Sequence, residues 1–346
     1  MFSIRLYMLS IMREERRGVL SVIIRFFLTV VASVYYLAIK VVDRAYSYGV
    51  RKVYKFPVPV ISVGNITLGG TGKTPFTVFI VDHLIAIGRK PAVLTRGYGD
   101  DEHNMLKDAV PGLMVFPGQD RVRNVRKAVE QGADVLVLDD GFQHRRIERD
   151  LDILLLDCPY PSGKYRLFPR GTLREPVSSI RRADIVVLTK VDRINRDEKE
   201  EIVRKINDLA SGVPVVTVKH EPVLLTDVTG AAYPLDDIKG KKVYLVSGIA
   251  DPGYFAYTVK KTEAVITGEL IFTDHHRYTR ADIDGIHAKC FSASVEVILT
   301  TEKDYVKLKE LDLSRIEEKL FILRIRVDIT EGRDRFVAGL DRVMSR

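Results

Sequence analysis

Cysteine is nearly absent: Cys158 and Cys290 are the only two among 346 residues. At most one disulfide can form, so a disulfide-held scaffold is excluded and a reducing compartment is the default. Internal repeats and low-complexity stretches are missing too. With 46% apolar and 29% charged residues, the composition excludes a disordered or collagen-like chain. The length suggests about two domains. No apolar run reaches the ~20 residues of a spanning helix; the run that begins at Val19 is broken by Arg25, and its uninterrupted part, residues 26–39, has 14. Excess charge is also missing from most of the chain. The net +8 comes from 54 Lys+Arg against 46 Asp+Glu, and residues 1–57 alone hold ten bases against three acids. Everything after residue 57 is therefore almost neutral.

That basic segment interleaves with an apolar one. Arg25, Thr29, Ser33, Tyr36, Lys40 and Arg44 recur at steps of three and four, which gathers them in one stripe of a helix. Phe26, Phe27, Val30, Val31, Val34 and Leu37 surround the rest. Such a helix fits best in the plane of a membrane interface, its cations against lipid phosphates, each adding about 1 kcal/mol near an anionic leaflet. A single span beginning near Val19, with Arg25 snorkelling to one end, and a core helix are the alternatives. A cleaved signal peptide does not fit, because the run ends in Lys40-Val41-Val42 without a small-residue cleavage site. Met12 is an alternative start to Met1. Nucleic acid is disfavoured as a partner, since the positive charge follows an apolar helix instead of lining a groove.

From residue 58 short β-branched runs alternate with helical stretches, the pattern of a parallel-sheet α/β fold. Strands are expected at 59–63, 91–95, 135–139, 151–157, 185–189 and 214–218, with crossover helices such as 73–87 and 197–210. A smaller set follows at 243–247, 264–267, 296–300 and 321–327. The expected organisation is a basic amphipathic segment over 1–57, a phosphate-loop domain over 58–219 with a return helix over 328–346, and a smaller α/β domain over 220–327. Residues 321–327 are expected to pair with 215–225 as the two linker strands that join the domains.

The first strand runs into Gly64-Asn65-Ile66-Thr67-Leu68-Gly69-Gly70-Thr71-Gly72-Lys73-Thr74-Pro75. A strand, a glycine-rich turn and Gly-Lys-Thr at a helix start form a Walker A loop. Its backbone N–H groups and the helix dipole surround the phosphates of a nucleotide. Gly69, Gly70, Thr71 and Gly72 supply the cradle, Lys73 a cation and Thr74 a hydroxyl for Mg²⁺. Thr67 stands where the usual loop has its first glycine. Val135-Leu136-Val137-Leu138-Asp139-Asp140 reads as the Walker B strand, whose acids handle the Mg²⁺ shell.

These motifs carry a resemblance. The loop, Thr95-Arg96-Gly97-Tyr98-Gly99, Asp139-Asp140-Gly141-Phe142-Gln143-His144, Leu173-Arg174-Glu175-Pro176, Asp274-His275-His276-Arg277-Tyr278 and Thr301-Glu302-Lys303-Asp304-Tyr305 occur in this order. Together they resemble the tetraacyldisaccharide 4′-kinases of lipid A biosynthesis. The resemblance implies a monotopic enzyme on the cytoplasmic face of the bacterial inner membrane, without an obligate protein partner. It implies transfer of the γ-phosphate of ATP to the 4′-hydroxyl of an acylated glucosamine disaccharide 1-phosphate, giving lipid IVA. The family's catalytic base matches Asp101, with Asp100 a rival, and His275 matches its partner. Arg121 and Arg174 match positions near the phosphates, and Glu175 matches a member of the Mg²⁺ shell with Thr74, Asp139 and Asp140. Glu302 and Lys303 match without a role.

Two other classes remain open at this level. Thr189-Lys190-Val191-Asp192 fits the guanine-reading element of GTPases, which suggests a membrane-docked P-loop GTPase. A partition-type ATPase acting as a membrane scaffold is the other.

Overall fold

The computed structural model describes residue 11 and residues 18–97, 101–158, 166–292 and 294–345. In chain order the elements begin with α1 (Val19–Ser47), β1 (Val60–Asn65), α2 (Lys73–Ala86), β2 (Pro91–Thr95), α3 (Asp101–Ala109), β3 (Met114–Pro117) and α4 (Arg121–Glu130). They continue with β4 (Val135–Asp139), β5 (Leu151–Asp157), β6 (Ile185–Thr189), α5 (Arg196–Leu209), β7 (Val215–Thr226) and β8 (Ala232–Tyr233). The last are β9 (Lys242–Ser247), α6 (Pro252–Lys260), β10 (Val265–Ile271), α7 (Arg280–Ser292), β11 (Val297–Thr301), α8 (Glu302–Leu308), β12 (Leu320–Glu331) and α9 (Arg333–Met344). Contacts gather them into two compact units, residues 1–73, 135–218 and 329–346 in one, residues 74–134 and 219–328 in the other.

In the first unit β4, β1, β5, β6 and the start of β7 lie side by side, all parallel. Parallel strands covered on both faces need near-continuous apolar sequence, and every residue of β1, β4 and β6 is buried. The register sets Val63 beside Asp139, so the strand feeding the glycine-rich turn and the strand bearing the acids end at the same level. The chain returns to this unit in α9, whose Phe336, Leu340 and Val343 are buried. A Cβ at Gly339 would come within 2.8 Å of Ile185 Cδ1; the helix approaches the sheet closely because that position carries none.

The second unit has a parallel group β10-β9-β11-β12 and the parallel pair β2–β3. Ile283, Ile286 and Leu308 pack on one side of the larger group, and Phe255 and Val259 belong to the core on its other side. Strand β3, a four-residue segment ending in proline, was not expected, being too short for a periodic signal. Strands β7 and β12 run 12 residues each; β7 covers the linker strand expected over 215–225, and β12 extends past the expected 321–327. Their outer halves alternate buried and partly exposed residues, so polar side chains interrupt the apolar run.

Helix α1, at 29 residues, lies inside the amphipathic segment expected over 1–57. Ser21 and Ala32 are its buried positions, and Tyr35 Oη donates to the backbone carbonyl of Arg174 at 2.8 Å. Asp43 pairs with Arg145 and stands 3.7 Å from Arg182. The stripe of Thr29, Ser33, Tyr36, Lys40 and Arg44 therefore flanks the face packed on the protein. The third face, with Phe26, Phe27, Val34, Leu37 and Val41, is exposed.

Candidate functional site

The first unit carries the glycine-rich turn. Gly64 lies against Phe142, where a Cβ would meet that residue's N and Cβ at 2.6 Å; the loop leaves the sheet beside the Gly141-Phe142 turn because Gly64 has no side chain. Gly69 and Gly72 have φ of 120° and 78°, the region that favours glycine. Thr67 is not among the positive-φ residues and makes an antiparallel bridge to Leu173. That explains the threonine: here the usual first glycine is replaced by an extended residue. The turn is pinned by Leu68 N–H to Thr172 O at 2.7 Å and Arg174 N–H to Ile66 O at 2.7 Å. Asn65 Nδ2 donates to Thr71 Oγ1 at 2.9 Å. Gln143 Nε2 donates to Asn65 O at 2.8 Å.

Lys73 opens α2. Its ammonium stands 3.7 Å from Asp140 Oδ1, and Arg174 Nη1 donates to both Asp140 oxygens at 2.9 and 2.8 Å. Asp140 thus holds two cations beside the turn. It does so from a left-handed φ of 51°, a conformation that costs a non-glycine residue roughly 1–2 kcal/mol. Asp139 is buried at the end of β4 and accepts the N–H of Asp140 at 3.0 Å. Glu175 is also buried, and its partner is Arg182 Nη2 at 2.8 Å; the Arg182 guanidinium lies 4.5 Å over the Phe142 ring.

Sequence reasoning missed one brace of this turn. Lys190 is 2% exposed, and its Nζ donates to Gly70 O at 3.1 Å and Asp157 Oδ2 at 2.9 Å. A buried ammonium needs such partners. The lysine was noticed only as a member of Thr189-Lys190-Val191-Asp192, and no local pattern announces a partner 120 residues away.

Thr74, the second residue of α2, clusters with the second unit, which also holds Arg121, Asp101 and His275. Arg121 begins α4 and is 1% exposed, an unusual place for a guanidinium. The Asp120 side chain caps this helix by accepting the Arg123 N–H at 3.2 Å. Asp101 begins α3, and Asp100 lies outside the described residues. Helix α3 packs along α8, and its Asp108 pairs with Lys309 just beyond that helix.

His275 has a φ of 60° and a half-exposed side chain. Its Nε2 is 3.2 Å from Lys303 Nζ, which also donates to Asp274 Oδ1 at 3.0 Å. His276 turns elsewhere: Nε2 meets Asp282 Oδ2 at 3.1 Å, and the ring stacks on Phe272 with centroids 4.5 Å apart. Among the described residues no group of three or more His, Cys, Asp or Glu is arranged to hold a metal ion. Beneath this loop Asp304 is fully buried. It accepts from Gly248 N–H and Tyr278 Oη at 3.0 Å each and from Thr301 Oγ1 at 2.7 Å. Glu302 accepts from Arg324 at 2.8 Å, and burial pushes its carboxyl up from the ordinary glutamate range, against the pull of Arg324.

The turn on β1, with Lys73 at a helix start and two acids on the neighbouring strand, is built to hold a polyphosphate. Known proteins point the same way. The sequence profile of the family described as tetraacyldisaccharide-1-P 4′-kinase matches residues 24–104 and 100–345. A tetraacyldisaccharide 4′-kinase of Anaeromyxobacter sp. (strain K) is 34% identical over 87% of this chain and 85% of its own. One from Pelobacter propionicus is 38% identical, covering 83% of this chain and 84% of its own. A crystal structure of LpxK from Aquifex aeolicus in complex with ATP covers 92% of this chain and 99% of its own, with 29% identity and a TM-score of 0.73.

Proposed function

The chain belongs to the tetraacyldisaccharide-1-P 4′-kinase family, and from that premise we propose how its own residues carry the reaction. It is an ATP-dependent lipid kinase that transfers the γ-phosphoryl group to the 4′-hydroxyl of a tetraacyldisaccharide 1-phosphate in lipid A biosynthesis. The observation that carries this reading is the cation pair Lys73 and Arg174 held on Asp140 at the mouth of the glycine-rich turn. Phosphoryl transfer asks a protein mainly for positioning and charge neutralisation, and this cluster offers both.

The N–H groups of residues 69–73 hold the phosphates, with Lys73 as the mobile cation. Arg174 and Arg121 stabilise the charge that spreads over the transferred group. The oxygen of the 4′-hydroxyl forms its bond to the γ-phosphorus as the bond to the bridging oxygen breaks, and ADP leaves with that electron pair. Asp101 takes the hydroxyl proton, and His275 holds the Asp101 carboxylate in place. Mg²⁺ suits the hard oxygens of the Thr74 hydroxyl and the Asp139 carboxylate, and when bound it neutralises phosphate charge. Asp140 and Glu175 complete its surroundings through their charge, each already compensated by arginine.

Helix α1 lies in the membrane interface and does not cross the bilayer. A span would carry the Tyr35–Arg174 hydrogen bond and the Asp43–Arg145 pair, and the folded unit behind them, into hydrocarbon. Lying flat, the helix keeps those contacts and gives its exposed apolar face to lipid. The acceptor is itself an amphiphile, so its headgroup is met where it emerges, on the cytoplasmic face of the bacterial inner membrane.

The test is mass spectrometry of the lipid formed from ATP and the tetraacyldisaccharide 1-phosphate in mixed micelles. The expected product gains one phosphate, and Lys73→Ala forms almost none while remaining folded. An unmodified lipid with wild-type protein, or equal product from Lys73→Ala, overturns the assignment.

A further inference from the structure

A lysine in the first turn of a helix is electrostatically misplaced, because the N-terminal end of the macrodipole is positive. Lys303 is such a residue, the second of α8, whose cap is Thr301. Its ammonium is committed to two neighbours, Asp274 Oδ1 at 3.0 Å and His275 Nε2 at 3.2 Å. The aspartate holds the lysine and not the histidine, since His275 Nε2 is 3.8 Å from Asp274 Oδ2, beyond hydrogen-bond range.

An ammonium has three donors and no acceptor. The imidazole nitrogen it meets must therefore present a lone pair, which leaves the ring proton on Nδ1. The backbone adds to the definition. His275 keeps its left-handed φ of 60° with its N–H donated to Gly248 O at 3.2 Å, and Gly248 is in turn fixed by Asp304. Strain of this kind persists where surrounding structure over-determines it, and it gathers at functional sites.

We propose that Lys303 is a positioning residue of the transfer reaction: held by Asp274, it occupies the Nε2 lone pair of His275 and fixes the ring as the neutral Nδ1–H tautomer. The inference rests on the reading of His275 as the partner of the base. It gives that partner one defined task. On that reading the Nδ1–H is the group offered to the carboxylate of the base, keeping it ionised and oriented until the 4′-hydroxyl proton reaches it. With its second nitrogen taken, the ring is not where that proton goes. The helix that begins at Asp101 packs along the helix that carries Lys303, so the two ends of this arrangement share one support.

The experiment is a two-bond proton–nitrogen correlation spectrum of the histidine rings in the full-length chain in detergent micelles, with the His275 signals identified by their loss in His275→Gln. The wild type is expected to show an unprotonated Nε2 and a protonated Nδ1. Lys303→Met should move the ring to the ordinary Nε2–H form, and Lys303→Arg should retain the wild-type pattern. General acid–base groups contribute about 10²–10⁴-fold, and loss of the positioning group should forfeit at least about 10-fold of that in kcat, with KM for ATP within about twofold. A wild-type ring protonated on Nε2, a Lys303→Met spectrum like that of wild type, or an unchanged kcat overturns the proposal. The ring spectrum is independent of turnover: a chain that made no phosphorylated lipid would refute the kinase assignment and leave the tautomer result standing.

Discussion

The fully buried carboxylate of Asp304 holds together the loop that carries His275. Replacing it by alanine removes the acceptor of three hydrogen bonds, from Gly248 N–H and Tyr278 Oη at 3.0 Å and Thr301 Oγ1 at 2.7 Å. It also removes the charge 3.9 Å from Lys307. Hydrogen bonds to charged groups contribute about 1.5–3 kcal/mol each, and donors left buried without an acceptor add their desolvation cost. Against this stands the relief of not burying a carboxylate, so the expected net loss is about 3–5 kcal/mol, the range for breaking a buried charged network. Asp304→Asn has the same shape and keeps an oxygen for Gly248 and Tyr278, but it loses the charge and turns an amide NH2 toward Thr301 Oγ1, at an expected cost of about 1.5–3 kcal/mol. Urea unfolding of both variants measures the difference. Because Gly248 O receives the His275 N–H, activity should fall with the loop even where the fold persists. An alanine variant as stable as the asparagine one, or a loss below about 1 kcal/mol, refutes the claim that this carboxylate holds the loop.

Three further outcomes are expected. Lys190→Met strips Gly70 O and Asp157 of a buried donor; a loss of about 1.5–3 kcal/mol in the bound state weakens ATP binding roughly 10–100-fold, and unchanged nucleotide affinity by calorimetry would show that the brace does not shape the turn. Val34→Asp combined with Leu37→Asp, on the exposed face of α1, removes about 1.5–3 kcal/mol of burial per side chain. Co-sedimentation with anionic vesicles should drop about 100-fold or more in affinity, with the Tyr35 and Asp43 contacts intact. Burial, and then Asp304, raise the Tyr278 pKa above its ordinary 10.0, so the fold favours the neutral hydroxyl. Its contribution to stability is complete below about pH 10 and is lost as pH rises above that. Tyr278→Phe should flatten this decline in unfolding free energy; an unchanged decline assigns it to other groups.

What was readable in the sequence follows from how local each signal is. Strands at 91–95, 135–139, 151–157 and 185–189 coincide with β2, β4, β5 and β6, because strands buried on both faces are apolar runs whose ends are visible. The glycine-rich turn was legible because strand, turn and helix are contiguous. Side-chain partnerships were not. Glu302 and Lys303 were visible only as part of a motif, since Arg324 and Asp274, which give them their settings, lie 22 and 29 residues away. The partner of Glu175 was equally hidden: Arg182 follows it by seven positions, across a 3-10 helix that no periodicity marks. The grouping of residues 74–134 with 219–328 is a matter of tertiary contact, which sequence order does not encode.

The N-terminal helix shows the same limit in another form. Polar residues at steps of three and four imply a helix with two faces, one wet and one apolar, and leave open whether the apolar one meets lipid or protein. The structure divides it into three. A narrow face of Ser21, Ala32 and Tyr35 is occupied by the protein; the polar stripe runs beside it; the broad face of Phe26, Phe27, Val34, Leu37 and Val41 is exposed. A soluble protein rarely leaves so wide a contiguous apolar surface uncovered. The small residues Ser21 and Ala32 let the helix lie close, and Tyr35 reaches the backbone of Arg174 through its hydroxyl. The large ones face outward, which suits the proposed docking, since a bilayer rewards area and not fit. The cations at Lys40 and Arg44, between these two faces, then fall at the level of lipid phosphates when the apolar face is immersed. In the proposed interfacial placement Lys40 and Arg44 set the depth of the phosphate-binding unit, to which the helix is fixed through the backbone of Arg174 itself.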